Sequence, residues 1–378
     1  MILPGATIGI IGGGQLGRMM ALAAKAQGFR IAVLEPSADS PCGQVADFEI
    51  IGAYDDRKAI QQLAHISDVI TYEFENIDAE TLAWICEESY VPQGPELLTI
   101  TQDRIKEKAA IVGAGVEVAS YAVINSTEDL SCEIEIIGYP AVLKTARGGY
   151  DGKGQLVIKG PQDLKMGEAL IQHGACVLEK WIAFEKEISV IVTRNMDGET
   201  AIFPVAENIH EENILHQSIV PARISEEIQA EAIEKAKQLA GSLNLVGTLA
   251  VEMFLTGEGT IYINELAPRP HNSGHYSIEA CETSQFEQHI RAICNWPLAS
   301  THLLKPAVMV NLLGEHYESL FAEIPKMKDW KVHLYGKKEP KVKRKMGHIT
   351  ILTDNIDNTL LEVGNSPIWQ KPMNVLTQ

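Results

Sequence analysis

Glu252 and Glu265 stand in two strongly apolar runs, AVEMF and IYINELA, joined by TGEGT. If Gly257 to Thr260 forms the loop of a hairpin, the two glutamates fall directly opposite each other on one face. Like charges so placed repel by roughly 0.2–1 kcal/mol unless something neutralises them, and burial adds to the cost. Two such carboxylates suit Mg²⁺, which binds one or two of them together with substrate phosphates. Asn264 stands beside the pair and could add an oxygen. The alternative is two solvated glutamates at a sheet edge, against which the apolar flanks argue.

A second candidate lies in Ala141 to Ile158, AVLKTARGGYDGKGQLVI. An apolar run ending near Lys144, a loop rich in glycine with Lys153 inside it, and another apolar run read as strand, loop, strand. Glycines let a backbone approach another group closely, and the lysines put positive charge at that approach. The combination suits a lid over nucleotide phosphates. It is not a P-loop, whose glycines run into a helix. An ordinary long hairpin is the alternative.

Gly12-Gly13-Gly14-Gln15-Leu16-Gly17 satisfies GxGxxG between a strand and a helix, with Glu35 closing the next strand. Alone it suggests an NAD(P)-dependent oxidoreductase; physically it is backbone N–H groups at a helix N-terminus, ready for any anion. Glu179-Lys180-Trp181-Ile182 ends an apolar strand and Glu187 follows, so a base could meet backbone there and a ribose Glu187, although plain strand packing explains the run as well. Directly after the second glutamate, Pro268 and Pro270 fix a loop carrying Arg269, His271, Asn272, Ser273 and His275 beside the candidate metal site. In YGKKEPKVKRKMGH, Lys337, Arg344 and Lys345 could gather a phosphate, or be a solvated loop.

The elements that must position these groups follow from periodicity. Strands at Thr7–Ile11, Arg30–Leu34 and near Val69–Tyr72, alternating with helices at 18–27 and 56–65, imply a parallel, doubly wound sheet. Gln93-Gly94-Pro95 marks a boundary before a helix at 101–112. Strands dominate 117–203, with a helix near 161–173, and Ser225 to Asn244 reads as an amphipathic helix. After Pro306 the chain reads as strand-rich to its end. With 378 residues, 46% hydrophobic, two or three domains with real cores are expected. A net charge of −18 argues against nucleic acid as a partner. No apolar run is long enough to span a bilayer, no secretory signal is evident, and six scattered cysteines fit a reduced, cytoplasmic setting.

Taken together, IGGGQLGRM, YEFEN, GGYDGKGQ, ENIHEENIL, NELAPRPHNSGH, LYGK and RKMGH resemble the ATP-grasp superfamily, and within it the 5-(carboxyamino)imidazole ribonucleotide synthetases of purine biosynthesis. The resemblance covers essentially the whole chain. It implies an α/β and α+β multidomain protein: a Rossmann-like substrate domain over residues 1–100, an ATP-grasp domain over 101–300 with its lid near 118–190, and a small β-rich carboxy-terminal domain over 301–378. It implies ATP and Mg²⁺ as cofactors, bicarbonate and aminoimidazole ribonucleotide as substrates, and a homodimer. The first glycine turn would then hold the substrate phosphate through Gln15 and Leu16, with Glu73 facing the same substrate. ATP would meet Arg104, Lys144, Gly149, Tyr150, Asp151, Gly152, Lys153, Gly154, Gln155, Glu179 to Ile182, Glu187, His210, Asn264 and Glu265. Tyr150, Asp151, Arg269, His271 and His275 would surround bicarbonate and the aminoimidazole, with Asp151 accepting the amine's proton. One departure stands out: where the family carries a glycine before RKMGH, this chain has Lys343. A formate-dependent ribonucleotide transformylase of the same superfamily and a non-catalytic nucleotide-binding module are the remaining alternatives.

Overall fold

The computed structural model describes residues 1–149 and 153–370, which build three sheets. The first holds β1 (Thr7–Ile11), β2 (Arg30–Glu35), β3 (Phe48–Ile51) and β4 (Val69–Tyr72) in the order β3-β2-β1-β4, all parallel. Every residue of β1 is buried, as a strand covered on both faces requires. One face packs Ile8, Ile10 and Met20 against Phe286, Ile290 and Ile293 of the helix Gln285–Ile293, which arrives from far along the chain. The other packs Ile11 and Leu34 against Ile60, Leu63 and Leu82. The expected parallel sheet is present, with one strand more than periodicity indicates. β3 is a short edge strand, exposed at three of its four residues, so its sequence FEII carries no buried-strand pattern. The first helix spans Gln15–Ala26 and starts at the glycine turn itself, three residues ahead of the position expected.

The second sheet is antiparallel: β5 (Tyr121–Ile124), β6 (Ala141–Thr145), β7 (Gln155–Ile158) and β8 (Cys176–Lys180), in the order β5-β8-β6-β7. Helices Thr127–Ile137 and Leu164–Ile171 cover it, burying Leu130 and Ile134 against Leu143, Ile158 and Leu178. The first of these helices corrects the strand-dominated reading of 117–203. Its start is a capping box, in which Ser126 accepts from Asp129 N while Asp129 accepts from Ser126 N.

The third sheet runs β14-β13-β9-β11-β12-β15-β17-β16, with β10 beside β9. Its strands are β9 (Phe184–Arg194), β10 (Thr200–Ile202), β11 (Ala206–Glu211), β12 (Ile214–Val220), β13 (Gly247–Thr256), β14 (Ile261–Ala267), β15 (Ala307–Leu313), β16 (Lys331–Leu334) and β17 (Lys345–Leu352). All its pairings are antiparallel. The strands after Pro306 therefore continue the central sheet. The same segment also contains helices Tyr317–Glu323 and Ile356–Asn365, so it is mixed where strands alone were expected. The helix Glu226–Ser242, capped by Ser225, lays Ala232, Ala236 and Leu239 on Val190, Val192 and Val251. Burying a leucine such as Leu239 contributes about 2 kcal/mol. Among the described residues no helix is long and apolar enough to cross a membrane, and all six cysteines are free.

Candidate active site

A cleft of ≈ 580 Å³ opens where the three sheets meet, and most of the residues singled out from sequence line it. Glu252 on β13 faces Glu265 on β14 directly, as expected, but the route to that register differs. The hairpin closes at Thr256 and Thr260 through Thr256 N–H to Thr260 O, with Gly259 in the left-handed region. Its loop is thus Gly257 to Gly259, one residue shorter than supposed. That register alone would offset the glutamates. A bulge between Ile263 and Glu265 inserts Asn264 and restores the pair. Burial, and then the Glu265 charge, push the Glu252 carboxyl up to about 7. Two facing carboxylates with the Asn264 amide oxygen beside them fit Mg²⁺ completed by phosphate oxygens. Among the described residues no three His, Cys, Asp or Glu side chains form a metal site by themselves.

Around this pair lies an alternating set of charges. The helix Arg104–Gly113, capped by Asp103, places Arg104 on the cleft, buries Glu107 and Lys108 behind it, and turns Ile111 into the core. Arg104 Nη1 lies 3.5 Å from Glu265 Oε2. Glu107 accepts from Leu266 N–H at 2.8 Å; burial, then Glu265, push its carboxyl up to about 8. From the second sheet, Lys144 and Glu179 are 3.2 Å apart, and Lys108 sits 3.1 Å from the same Glu179 oxygen. Burial works against the Glu179 charge, yet Lys144 and Lys108 hold its carboxyl below the usual range. Lys144 also reaches Asn264 Oδ1 at 3.5 Å. The β6–β7 hairpin forms as expected, closed by Thr145 N–H to Gly154 O. Gly154 is left-handed and Gly149 lies against Lys153 O, so both positions need glycine. Tyr150, Asp151 and Gly152 lie outside the described residues.

The loop from Pro268 to His275 is clamped by buried Gln285, which accepts from His271 N–H and donates to His271 O. His271 Nε2 lies 3.3 Å from Glu252 Oε1. Burial and then Arg269 hold its imidazole well below the ordinary histidine range. Arg269 forms a two-pronged pair with Glu75. His210 on β11 bonds Glu187 on β9 at 2.5 Å; burial disfavours its charge, but Glu187 outweighs that and raises its pKa. Ser273, expected among the substrate-binding residues, is fully buried and is not among the residues that line the cleft.

At the amino-terminal turn, Glu73 occupies the place a dinucleotide pyrophosphate would take. Its two oxygens accept from Gly14 N–H and from Gly17 N–H, the latter at 2.6 Å. Glu35, the residue a dinucleotide ribose would need, is taken by Gly13 N–H at 2.8 Å and the Tyr54 hydroxyl. The turn is filled by the protein's own carboxylates, which removes the basis of the oxidoreductase reading. Gln15 and Leu16, the first two residues of the helix, line the cleft. Lys345 lines it too, whereas Lys337 bonds Lys345 O and Arg344 bonds Glu339 O outside it. Burial, then Arg344, lower the Lys337 ammonium to about 8. Lys343 holds the left-handed backbone (φ 64°) that a glycine would adopt, with Glu315 on its N–H and Glu212 on its ammonium.

Sequence reasoning passed over Glu75, Glu107, Lys108 and Gln285. Glu75 alternates with Glu73 in YEFEN, and Lys108 lies one helical turn beyond Arg104. Both spacings were readable. Gln285 was not, because only the tertiary fold brings it to the loop.

Comparison with known proteins extends these observations. The ATP-grasp domain matches residues 109–286, the ribonucleotide synthetase preATP-grasp domain 5–102, and the phosphoribosylaminoimidazole carboxylase C-terminal domain 307–361. An N5-carboxyaminoimidazole ribonucleotide synthase of Bacillus subtilis (strain 168) is 56% identical over 365 residues, covering 97% of this chain and 96% of its own. One from Staphylococcus aureus (strain COL) is 48% identical over 356 residues, covering 94% and 95%. Among solved structures, an N5-carboxyaminoimidazole ribonucleotide synthetase in complex with ADP aligns with a TM-score of 0.95 at 60% identity, covering 98% of each chain. The Aspergillus clavatus N5-carboxyaminoimidazole synthase, in complex with ADP and 5-aminoimidazole ribonucleotide, aligns at 0.88 with 29% identity over 95% of this chain and 96% of its own. Kinship of this depth spans all three sheets and the cleft between them, and the chain belongs to the N5-carboxyaminoimidazole ribonucleotide synthase family of ATP-grasp ligases.

Proposed function

We propose that this chain carboxylates the exocyclic amine of 5-aminoimidazole ribonucleotide, using ATP and bicarbonate, in purine biosynthesis. The observation that carries the reading is the meeting, in one cleft, of the lysine-flanked Glu179, the opposed Glu252 and Glu265, and a glycine turn already filled by Glu73. The nucleotide would lie between the second and third sheets. Lys180 to Ile182 would offer backbone to the base, Glu187 with His210 would hold the ribose, and Arg104, Lys144 and the Gly149 to Gln155 loop would meet the phosphates. Glu252, Glu265 and Asn264 would hold Mg²⁺, which neutralises charge on the transferring phosphoryl group. Gln15, Leu16 and Lys345, with Lys337 and Arg344 behind, would take the ribonucleotide phosphate.

A bicarbonate oxygen attacks the γ-phosphorus, the bond to the β-phosphate oxygen breaks, and ADP leaves with carboxyphosphate formed. The lysines and Arg104 stabilise charge as it moves. The amine nitrogen then attacks the carboxyl carbon, the carbon–oxygen bond to phosphate breaks, and the amine proton passes to a base. Asp151 is the proposed base. Arg269, His271, Asn272 and His275 would orient the two reactants and keep water out. We place the domain limits near residues 100 and 300 with the lid at about 118–190. A cytoplasmic homodimer accords with family membership, and sedimentation velocity would test the dimer.

The deciding assay is ADP release. It should require both bicarbonate and aminoimidazole ribonucleotide, and Asp151→Asn should lose the dependence on the ribonucleotide. ADP formed with formate and glycinamide ribonucleotide instead would move the chain to the transformylase reading.

A further inference from the structure

The strands β9, β11 and β12 and the loop after β14 together carry a row of buried polar side chains set back from the cleft. Ser218 is fully buried, as is Ser273, and Ser189 and Asn208 are 1% and 7% exposed. None of the four lines the cleft. Ser189 stands directly across β9 and β13 from Glu252, and Asn208 stands across β11 and β12 from Ser218. Ser218 O–H donates to Asn208 Oδ1, Asn208 Nδ2 donates to Ser189 Oγ, and Ser189 O–H donates to Ser273 Oγ, each at 2.8 Å. Ser273 Oγ then lies 2.9 Å from His271 Nδ1, and the Ser273 N–H donates to the same nitrogen at 3.3 Å.

The direction of this row is fixed at both ends. An amide NH₂ only donates, so the Asn208 end sends the Ser189 hydrogen onward to Ser273. A backbone N–H also only donates, so His271 Nδ1 must present its lone pair. With Nδ1 accepting, the ring proton is left on Nε2, 3.3 Å from Glu252 Oε1. We infer that Ser273, Ser189 and Asn208 form a positioning relay that keeps the His271 proton on Nε2, so that His271 donates to Glu252 and sets the carboxylate facing Glu265. A ring with its proton on Nδ1 would turn a lone pair toward Glu252, and the two acceptors would repel. The relay acts on the carboxylate through His271, as outer hydrogen bonds orient inner ligands elsewhere. Its functional consequence rests on the proposed role of Glu252; its geometry does not.

The test uses unliganded protein labelled with ¹⁵N-histidine. A long-range proton–nitrogen correlation should show His271 with Nε2 protonated and Nδ1 bare. Ser273→Ala keeps the longer 3.3 Å backbone N–H on Nδ1 but loses the 2.9 Å hydroxyl, so the two nitrogen shifts should move part of the way toward each other as the other tautomer gains population. The Mg²⁺ concentration for half-maximal ADP release should rise about tenfold. A protonated Nδ1 in the unaltered protein, or unchanged shifts in Ser273→Ala, would overturn the relay. Should thermal melting show Ser273→Ala to be unfolded, Ser189→Ala replaces it, with a smaller displacement of the same sign expected and unchanged shifts again fatal. Because the shifts are read without substrates, they remain decisive even if the ADP assay contradicts the proposed reaction.

Discussion

Glu179 illustrates how one residue's charge can be arranged in advance. One of its oxygens is shared by two ammonium groups, Lys108 and Lys144, at 3.1 and 3.2 Å. Lys108 is 1% exposed, with its ammonium 5.8 Å from the Tyr121 ring centroid, and cannot reach a ligand in the open cleft. Lys144 lines the cleft and can. Lys108 therefore serves as the resident counter-ion, which leaves Lys144 able to transfer to an arriving phosphate without stranding a buried carboxylate. Replacing Lys108 by methionine keeps the apolar stem and removes the charge. Lys144 would then be the sole partner of Glu179 among these lysines and would be held back from phosphate. The KM for ATP is expected to rise about tenfold, the cost of one charge-assisted hydrogen bond of ~1.5 kcal/mol. Adding Glu179→Gln to Lys108→Met should recover part of the loss. An unchanged KM in the single variant would remove this role for Lys108.

At the scale of elements, the β6–β7 hairpin joins sequence to function through its glycines. A Cβ on Gly154 would sit 2.6 Å from Thr145 Oγ1, and its φ of 70° disfavours any side chain. Gly154→Ala should cost the hairpin about 1–2 kcal/mol. Only four residue pairs join these strands, so the tip should open first. KM for ATP should rise several-fold while the main melting transition, set by the other sheets, barely moves; a KM unchanged within error would show that the tip does not close on nucleotide. This hairpin was legible because its strands are apolar and its loop is glycine. The Glu252–Glu265 pair was legible for a less secure reason. The loop was read one residue too long, and the bulge at Asn264 supplied the compensating residue. A bulge has no residue-type signature, so pairing could be inferred but its mechanism could not. The edge strand β3 and the helix Thr127–Ile137 escaped for opposite causes. The first has too little burial to show a pattern, while the second announces itself by a Ser126–Asp129 capping box that the surrounding strand signal obscured. Gln285 and the Ser189–Asn208–Ser218 row were beyond reach. They are ordinary polar residues whose significance comes only from the tertiary fold: a helix start brought to the His271 loop for Gln285, and cross-strand register for the row.

For the molecule as a whole, the cleft depends on the first sheet staying docked on the third, and a buried histidine joins them. His289 accepts from Thr248 N–H of β13 at 3.2 Å, and its other nitrogen lies 2.8 Å from Thr71 Oγ1 of β4. Thr71 in turn donates to Gln93 Oε1 at 2.6 Å. Burial lowers the imidazole to about 3. An unfolded histidine titrates near 6.5. Between those values the unfolded chain binds a proton that the folded chain refuses, so stability is full above about pH 6.5 and falls as pH drops toward about 3. Each such group contributes a slope approaching about 1.4 kcal/mol per pH unit within its window. His271, His275 and His348 are likewise held well below the ordinary range, chiefly by burial, and add to the same slope. Glu107 and Glu252, raised to about 8 and about 7, work in the opposite sense down to the ordinary carboxylate range at about 4.3, so melting temperature should fall gently below about pH 6 and steeply only below about pH 4.5. His289→Gln can retain an acceptor and a donor but has no proton to gain. Its melting temperature should start lower at neutral pH and then decline less steeply, by close to one proton's worth of slope. Parallel melting profiles for the parent and His289→Gln between pH 6.5 and 4 would show that the junction between the sheets is not what acid attacks.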